Sequence, residues 1–264
     1  MEQTPTVNVV IPYAPSITPE DLLNKALESV DGQNVETETI IVEDPERKGP
    51  AWARNQGLAQ ADRRYVAFLD ADDLWKENKL QRQIERIRET GAGICVEGTP
   101  KSTNEFISGL LTGNIVSKTS SILIDTEQIS VQFNESLDRF EDHIFMIESA
   151  LESDVCLCEN LVEIRKHKQG LSAHNNPRLL YQQRQKMASV LEQNEDIPPS
   201  KLREFRRILN YKACVQFRKE NKFSNAALAI VRSLRYGLSP ENIRAAAALP
   251  VFILLSLIKR NQGS

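Results

Sequence analysis

The chain lacks most of the short patterns that advertise a chemistry. No Walker-type phosphate loop, G-x-G-x-x-G, H-E-x-x-H or G-x-S-x-G occurs, which removes the sequence signatures of P-loop nucleotide sites, dinucleotide folds, zinc proteases and serine hydrolases. Cysteine is sparse. Cys95, Cys156, Cys158 and Cys214 make no disulfide framework, and the Cys156-Leu157-Cys158 spacing is too tight for a zinc knuckle. Reduced, mostly buried thiols are expected, as in a cytosolic protein. Residues 1–6 are polar, without the basic start and apolar core of a secretory leader, so Asn134-Glu135-Ser136 reads as a chance glycosylation sequon. The longest apolar stretch, Ala245 to Ile258, is interrupted by Pro250 and falls short of the ~20 residues needed to cross a bilayer. There are no internal repeats, no low-complexity tract and no recognised nucleic-acid module, so nucleic acid is not an expected partner.

What is present is an ordinary globular composition, 41% hydrophobic and 26% charged, with an uneven charge distribution. Residues 200–264 hold thirteen Lys/Arg against three Glu, whereas residues 1–199 hold twenty Lys/Arg against thirty-three Asp/Glu. A net charge of −3 thus conceals a segment of +10 and one of −13. The split predicts two functional regions, the basic one facing an anionic partner or simply solvating its helices.

Along the first region, strand and helix patterns alternate. Val7 to Ile11, Glu38 to Val42 and Tyr65 to Leu69 read as strands. Thr18-Pro19-Glu20-Asp21 supplies a helix start, a hydroxyl cap with proline at the first helical position and acids in the first turn. That helix carries Leu23, Leu27 and Val30 on one face down to Gly32. Ala51 to Ala61 reads as a second helix, and Lys76 to Thr90 as a third with Leu80, Ile84 and Ile87 inward and Gly91 as its stop. Such alternation predicts an α/β domain with a mostly parallel sheet, in which ligands bind beyond the carboxyl ends of strands. From Arg178 onward the texture is helical, near 178–193, 201–219, 224–236 and 240–259. The expected division is an α/β domain over 1–177 and a basic helical region over 178–264. For Ala245 to Ile258 two readings stand: docking on the protein's own core, or lying in the plane of an anionic membrane.

The most informative stretch is Asp70-Ala71-Asp72-Asp73, directly after the apolar run ending at Leu69. Carboxylates inside a buried strand carry a large desolvation cost, so these acids belong at its mouth. Residues two apart on an extended chain project to the same side, which lets Asp70 and Asp72 converge while Asp73 points elsewhere. Two carboxylates with open coordination positions suit a hard divalent cation that also holds phosphate oxygens. A plainer reading stands beside it: Asp72 or Asp73 caps a helix beginning at Leu74-Trp75-Lys76. The second strand ends in another acidic pair, Glu43-Asp44, and Pro12 ends the first. One cleft can therefore collect these groups.

The order of these segments resembles glycosyltransferase family 2, inverting enzymes of GT-A fold. Val9-Val10-Ile11-Pro12-Tyr13 is similar to its opening strand, and Ala53-Arg54-Asn55-Gln56-Gly57 followed by Tyr65 to Trp75 to its most diagnostic stretch. Phe133-Asn134-Glu135-Ser136-Leu137, Glu141-Asp142 and Arg165-Lys166-His167 follow in the family's order. The resemblance covers about residues 7–175. It implies that Asp70 and Asp72 form a DxD motif, Asp70 toward the donor ribose and Asp72 toward Mn²⁺ or Mg²⁺. It also implies that Glu43 or Asp44 meets the nucleobase and that Arg54 lies in the donor region. Asp142 is the expected catalytic base, beside Glu141, and His167 falls in a segment that closes over the donor. The implied reaction moves a sugar from a nucleotide-diphosphate sugar to a hydroxyl of a glycan or lipid-linked acceptor, in the cytoplasm or at the cytoplasmic face of a membrane. In one respect the sequence departs from the pattern: only Pro45 to Trp52 join the second strand to the Ala-Arg-Asn helix, which predicts a trimmed sheet edge. Two other functions share some features. A haloacid-dehalogenase-like phosphatase also places Asp-x-Asp after a buried strand, and a non-catalytic nucleotide-sugar-binding module keeps the fold without turnover.

Overall fold

The computed structural model describes residues 5–99, 102–115, 118–165, 176–248, 250, 251 and 254. They fall into two compact units, Met1–Asn175 and Asn176–Ser264.

The first unit is built on a six-stranded sheet. Its chain order is β1 (Val7–Tyr13), α1 (Glu20–Asp31), β2 (Thr37–Glu43), α2 (Pro50–Gln60), β3 (Tyr65–Phe68), β4 (Leu74–Trp75), α3 (Lys79–Thr90), β5 (Ile94–Glu97), α4 (Thr103–Thr112), a 3₁₀ turn at Thr119–Ser121, β6 (Leu123–Asp125), α5 (Glu141–Glu152), β7 (Val155–Cys158) and β8 (Val162–Glu163). Across the sheet the strands run β2-β1-β3-β6-β5-β7. Pairings β1–β2, β1–β3 and β5–β7 are parallel, while β6 runs antiparallel to both β3 and β5. The sheet is therefore mostly parallel. β2 is an edge strand; among the described residues no further strand lies beyond it on that side.

The central strands are apolar because both of their faces are covered. Val7, Val9, Val10 and Ile11 of β1 and all four residues of β3 are buried. Helix α2 lies close over β1: a methyl group on Gly57 would sit 2.3 Å from a Val10 side-chain carbon, so glycine is what permits this approach. Helix α1 buries Leu23, Ala26 and Val30, but its cap is Pro19, and no hydroxyl caps it. The expected Thr18 cap is thus absent. Leu74–Trp75 is not the start of a helix; it pairs antiparallel with Val162–Glu163, and α3 begins only after Asn78. Asp72 and Asp73 accordingly cap nothing there.

Lys79 opens α3 fully buried, its Nζ donating to Gln83 Oε1 at 2.8 Å and lying 4.1 Å from the Trp75 ring. Burial pushes its pKa down to about 7 from an ordinary 10.5. Below about pH 7 both folded and unfolded chains hold this proton. Between about 7 and 10.5 the unfolded chain binds more, so stability rises with pH across that window. Lys79→Met is expected to flatten this rise, as measured by urea unfolding from pH 6 to about 10.

The second unit is helical: α6 (Pro177–Leu191), α7 (Pro199–Lys219), α8 (Phe223–Arg235) and α9 (Pro240–Ala247). Asn176 caps α6 through the Arg178 N–H, and Ser239 with Asn242 forms a reciprocal capping box at α9. Its core joins Ala213, Cys214 and Phe217 of α7 to Ala226, Ala229 and Ile230 of α8 and Ala245 of α9. Much of the stretch from 245 to 258 lies outside the described residues. Within it, Ala245 is buried while Val251 and Leu254 are exposed. Among the described residues, no helix is long and apolar enough to cross a membrane.

Candidate active site

The carboxyl end of β3 is the centre of a polar network. Asp70 follows the strand, and its backbone N–H donates to Ser120 Oγ at 3.1 Å. The chain then turns, with Asp73 N–H donating to the Asp70 carbonyl at 2.9 Å. Asp73 points inward: it is buried and accepts from Ser120 Oγ at 2.6 Å. Burial, reinforced by the Asp70 charge, raises its pKa to about 7. Asp70 and Asp72 remain partly exposed at the mouth.

Arg165 holds this turn from the other side. Its Nε donates to the Asp72 carbonyl at 2.6 Å, and one terminal nitrogen reaches the carbonyls of Leu22, Ala71 and Asp73. Its backbone N–H adds a bond to Asp73 Oδ1 at 3.3 Å. A planar guanidinium suits this task because its fork of donors fits several carbonyls at once.

Arg54 connects the acidic turn to a second acidic pair. From α2 its side chain, 4% exposed, donates to Asp70 Oδ1 at 2.6 Å and to Glu141 Oε1 at 2.9 Å. Burial alone would lower its pKa, but the Asp70 and Glu141 carboxylates outweigh it and hold it above the ordinary value. The guanidinium also lies 5.2 Å from the Phe133 ring centroid. Its neighbour Asn55 fixes the same segment, exchanging hydrogen bonds with the Phe133 backbone and donating to Glu135. Phe133 in turn stacks on Phe145 of α5, both against Phe68 of β3. Three stretches far apart in sequence are thereby brought to one end of the sheet.

Helix α5 begins at the Glu141-Asp142 pair, immediately after Phe140, whose φ of 69° is left-handed. That conformation costs a bulky residue about 1–3 kcal/mol, and it starts the helix with both acids in its first turn. Glu141 is buried. Burial and the Asp142 charge raise its pKa against the opposing pull of Arg54. Asp142 is more open, its side chain 17% exposed. One oxygen faces His143 Nδ1 at 3.1 Å and accepts the His143 backbone N–H, and the other accepts from Thr119 Oγ1 at 3.5 Å.

The remaining candidates are placed as follows. Pro12 lies in β1 opposite Val42, and Glu43 is exposed at the end of β2. Asp44 is buried, with its oxygens accepting the Lys48 and Gly49 backbone N–H groups at 2.9 and 2.7 Å, which shapes the loop into α2. His167 lies outside the described residues. Trp75 is core, donating through Nε1 to the Ser120 carbonyl at 2.7 Å. The resemblance puts Arg54 in the donor region, but its bridge from Asp70 to Glu141 and the Arg165 clamp join residues with no local spacing rule.

Among the described residues, no cluster of three or more His, Cys, Asp or Glu is arranged to hold a metal ion. The described residues thus offer a cation at most two carboxylates there. That donor set still fits Mg²⁺ or Mn²⁺, which bind through one or two carboxylates and complete their shells with water and substrate phosphates.

This arrangement, an acidic turn at the end of a central strand in a mostly parallel sheet flanked by helices, is a GT-A fold. Solved structures share it. Staphylococcus aureus TarS 1-349 in complex with UDP-GlcNAc aligns over 96% of this chain and 87% of that one, with a TM-score of 0.59 at 19% identity. The mannosyltransferase PcManGT from Pyrobaculum calidifontis, in complex with GDP-Man and Mn²⁺, aligns over 98% and 87% with a TM-score of 0.58 at 17% identity. Residues 33–153 match the model of Glycosyl transferase family 2, and this segment belongs to that family. A curated Escherichia coli protein, the UDP-Glc:alpha-D-GlcNAc-diphosphoundecaprenol beta-1,3-glucosyltransferase WfgD, is 57% identical over 62 residues, 24% of either chain. The putative teichuronic acid biosynthesis glycosyltransferase TuaG of Bacillus subtilis is 47% identical over 53 residues, 20% of this chain and 21% of that protein. The matched segments thus span about a quarter or less of these two relatives.

Proposed function

We propose that the chain is an inverting glycosyltransferase that moves a sugar from a nucleotide-diphosphate sugar to an acceptor hydroxyl. The observation that carries this reading is the Arg54 bridge, which ties the acidic turn at Asp70 to the pair at Glu141-Asp142. In this reading Asp72, with Asp70, holds a divalent cation, and Asp142 is the general base. The cation, when bound, neutralises charge developing on the diphosphate as the sugar–oxygen bond breaks. Asp142 takes the proton of the attacking hydroxyl, which approaches the face of the sugar opposite the leaving group, so inversion follows. His143 and Thr119 orient the Asp142 oxygens. Arg54 keeps Glu141 and Asp70 paired, leaving Asp142 as the more open carboxylate of its pair.

Nucleotide sugars bound to the neighbours in the solved complexes support the donor class, and Mn²⁺ in one of them supports the metal. The WfgD acceptor, a diphosphoundecaprenol-linked sugar, supports a glycan or lipid-linked acceptor here. Free thiols at all four cysteines suit a reducing compartment, and on that footing we assign the enzyme to the cytoplasm or the cytoplasmic face of a membrane. Glu43, at the exposed edge, is the better candidate for contact with the base, since both Asp44 oxygens already serve the backbone. Nothing in the structure favours a phosphatase or a binding module.

A thermal-shift screen of UDP-glucose, UDP-GlcNAc and GDP-mannose, each with and without Mn²⁺, tests the reading. A ligand that binds only the folded state raises the melting temperature by mass action. One donor is expected to raise it strongly with Mn²⁺ and weakly without, and Asp72→Asn to remove the Mn²⁺-dependent part. If no donor shifts the melt under either condition, the reading fails.

A further inference from the structure

The second unit carries apolar side chains that its own core does not use. Among the described residues, all exposed large hydrophobics except Ile41 and Ile164 belong to this unit. On α8 the inward face is Ala226, Ala229, Ile230 and Ser233. Leu228 and Val231 lie on the opposite face, 52% and 39% exposed, together with exposed Arg232 and Arg235. Spacings of three and four residues place these four on one helical stripe. The turn into α9 then presents Leu238, 73% exposed, and α9 presents Ile243 and Arg244 while turning Asn242 and Ala245 inward. Asn242 locks the pair of helices together, donating to Ser233 Oγ at 3.2 Å and to the Gly237 carbonyl at 2.8 Å. The turn and the exposed stripe are therefore held, not loose.

Charge narrows what covers this face. Arg232, Arg235 and Arg244 are exposed and make no ion pair among the described residues, while Glu241 is the one acid between Lys222 and Leu254. Apolar side chains interleaved with cations match the boundary of a bilayer, where guanidinium groups meet lipid phosphates and leucines enter the acyl margin. A second copy of the chain fits less well, because a two-fold interface would set the same arginines against each other.

We propose that α8, the turn at Leu238 and α9 form a docking surface for anionic lipid membranes. Co-sedimentation of the full chain with phosphatidylcholine vesicles, with and without phosphatidylglycerol, tests this. Binding is expected only with the anionic lipid, and it should fall as NaCl rises from about 0.05 to about 0.5 M. The double substitution Arg232→Gln/Arg235→Gln is expected to weaken binding about thirty-fold, and Leu228→Ser/Leu238→Ser about ten-fold. All four positions are exposed, so both variants should melt like the parent by circular dichroism, and the salt series needs no variant at all. Binding that is absent, equal for neutral and anionic vesicles, or unchanged in both variants overturns the proposal. So does a parent that light scattering shows to be a dimer and that Leu228→Ser/Leu238→Ser converts to a monomer. None of these outcomes depends on sugar transfer.

Discussion

Asp142→Asn is expected to slow sugar transfer by about 10²–10⁴-fold, the usual contribution of a positioned general base, while leaving donor affinity unchanged. The substitution keeps the shape of the side chain. An amide oxygen still accepts from Thr119 Oγ1 or the His143 N–H, two of the groups that face the Asp142 carboxylate, so the start of α5 is retained. Only the ability to take a proton is lost. The effect should therefore fall on kcat, with the donor dissociation constant measured by calorimetry held at the parent value. Single-turnover rates would separate the chemical step from product release. A variant that transfers sugar at the parent rate removes Asp142 as the base.

Arg54→Met is expected to destabilise the first unit by about 3–5 kcal/mol, the cost of removing one partner from a buried ion pair. For a unit of this size that corresponds to a fall of roughly 6–20 °C in melting temperature. Arg54 is nearly inaccessible and serves two carboxylates at once. Without it, Glu141 stays buried beside Asp142 with its main counter-charge gone, and it must take up a proton or open the helix start. A double-mutant cycle checks the assignment. Arg54→Met/Glu141→Gln should recover part of the loss, because the second change removes the stranded charge. Equal stability of Arg54→Met and the parent would show that the bridge contributes nothing to the fold.

The sequence disclosed the acidic turn because its signal is local. A run of buried apolar residues must end before three carboxylates begin; that Asp73 is the one turned inward follows from the folded turn. Helices α1 and α3 were likewise visible through their apolar faces, and α2 was read as a helix too, with boundaries off by a few residues. Leu74–Trp75 was misread because its partner strand, Val162–Glu163, lies far along the chain, and two residues carry no period of their own. Strands β5, β6 and β7 escaped for a similar reason: three or four apolar residues fit a strand or a helix equally well. Thr18 looked like a cap on composition alone, yet the backbone placed Pro19 there. Resemblance to a family put Arg54 near the donor. Its grip on both Asp70 and Glu141 follows only from the folded positions of α2, β3 and α5.

The clamp at Arg165 bears on when the protein becomes competent. Its bond to the Leu22 carbonyl spans 143 positions, and those to the acidic turn span more than ninety. Contacts so distant in sequence form only after long loops have closed. During synthesis, Asp70, Asp72 and Asp73 emerge well before the arginine that shapes their turn. Until residue 165 has been synthesised, a nascent chain therefore lacks the side chain that shapes this turn.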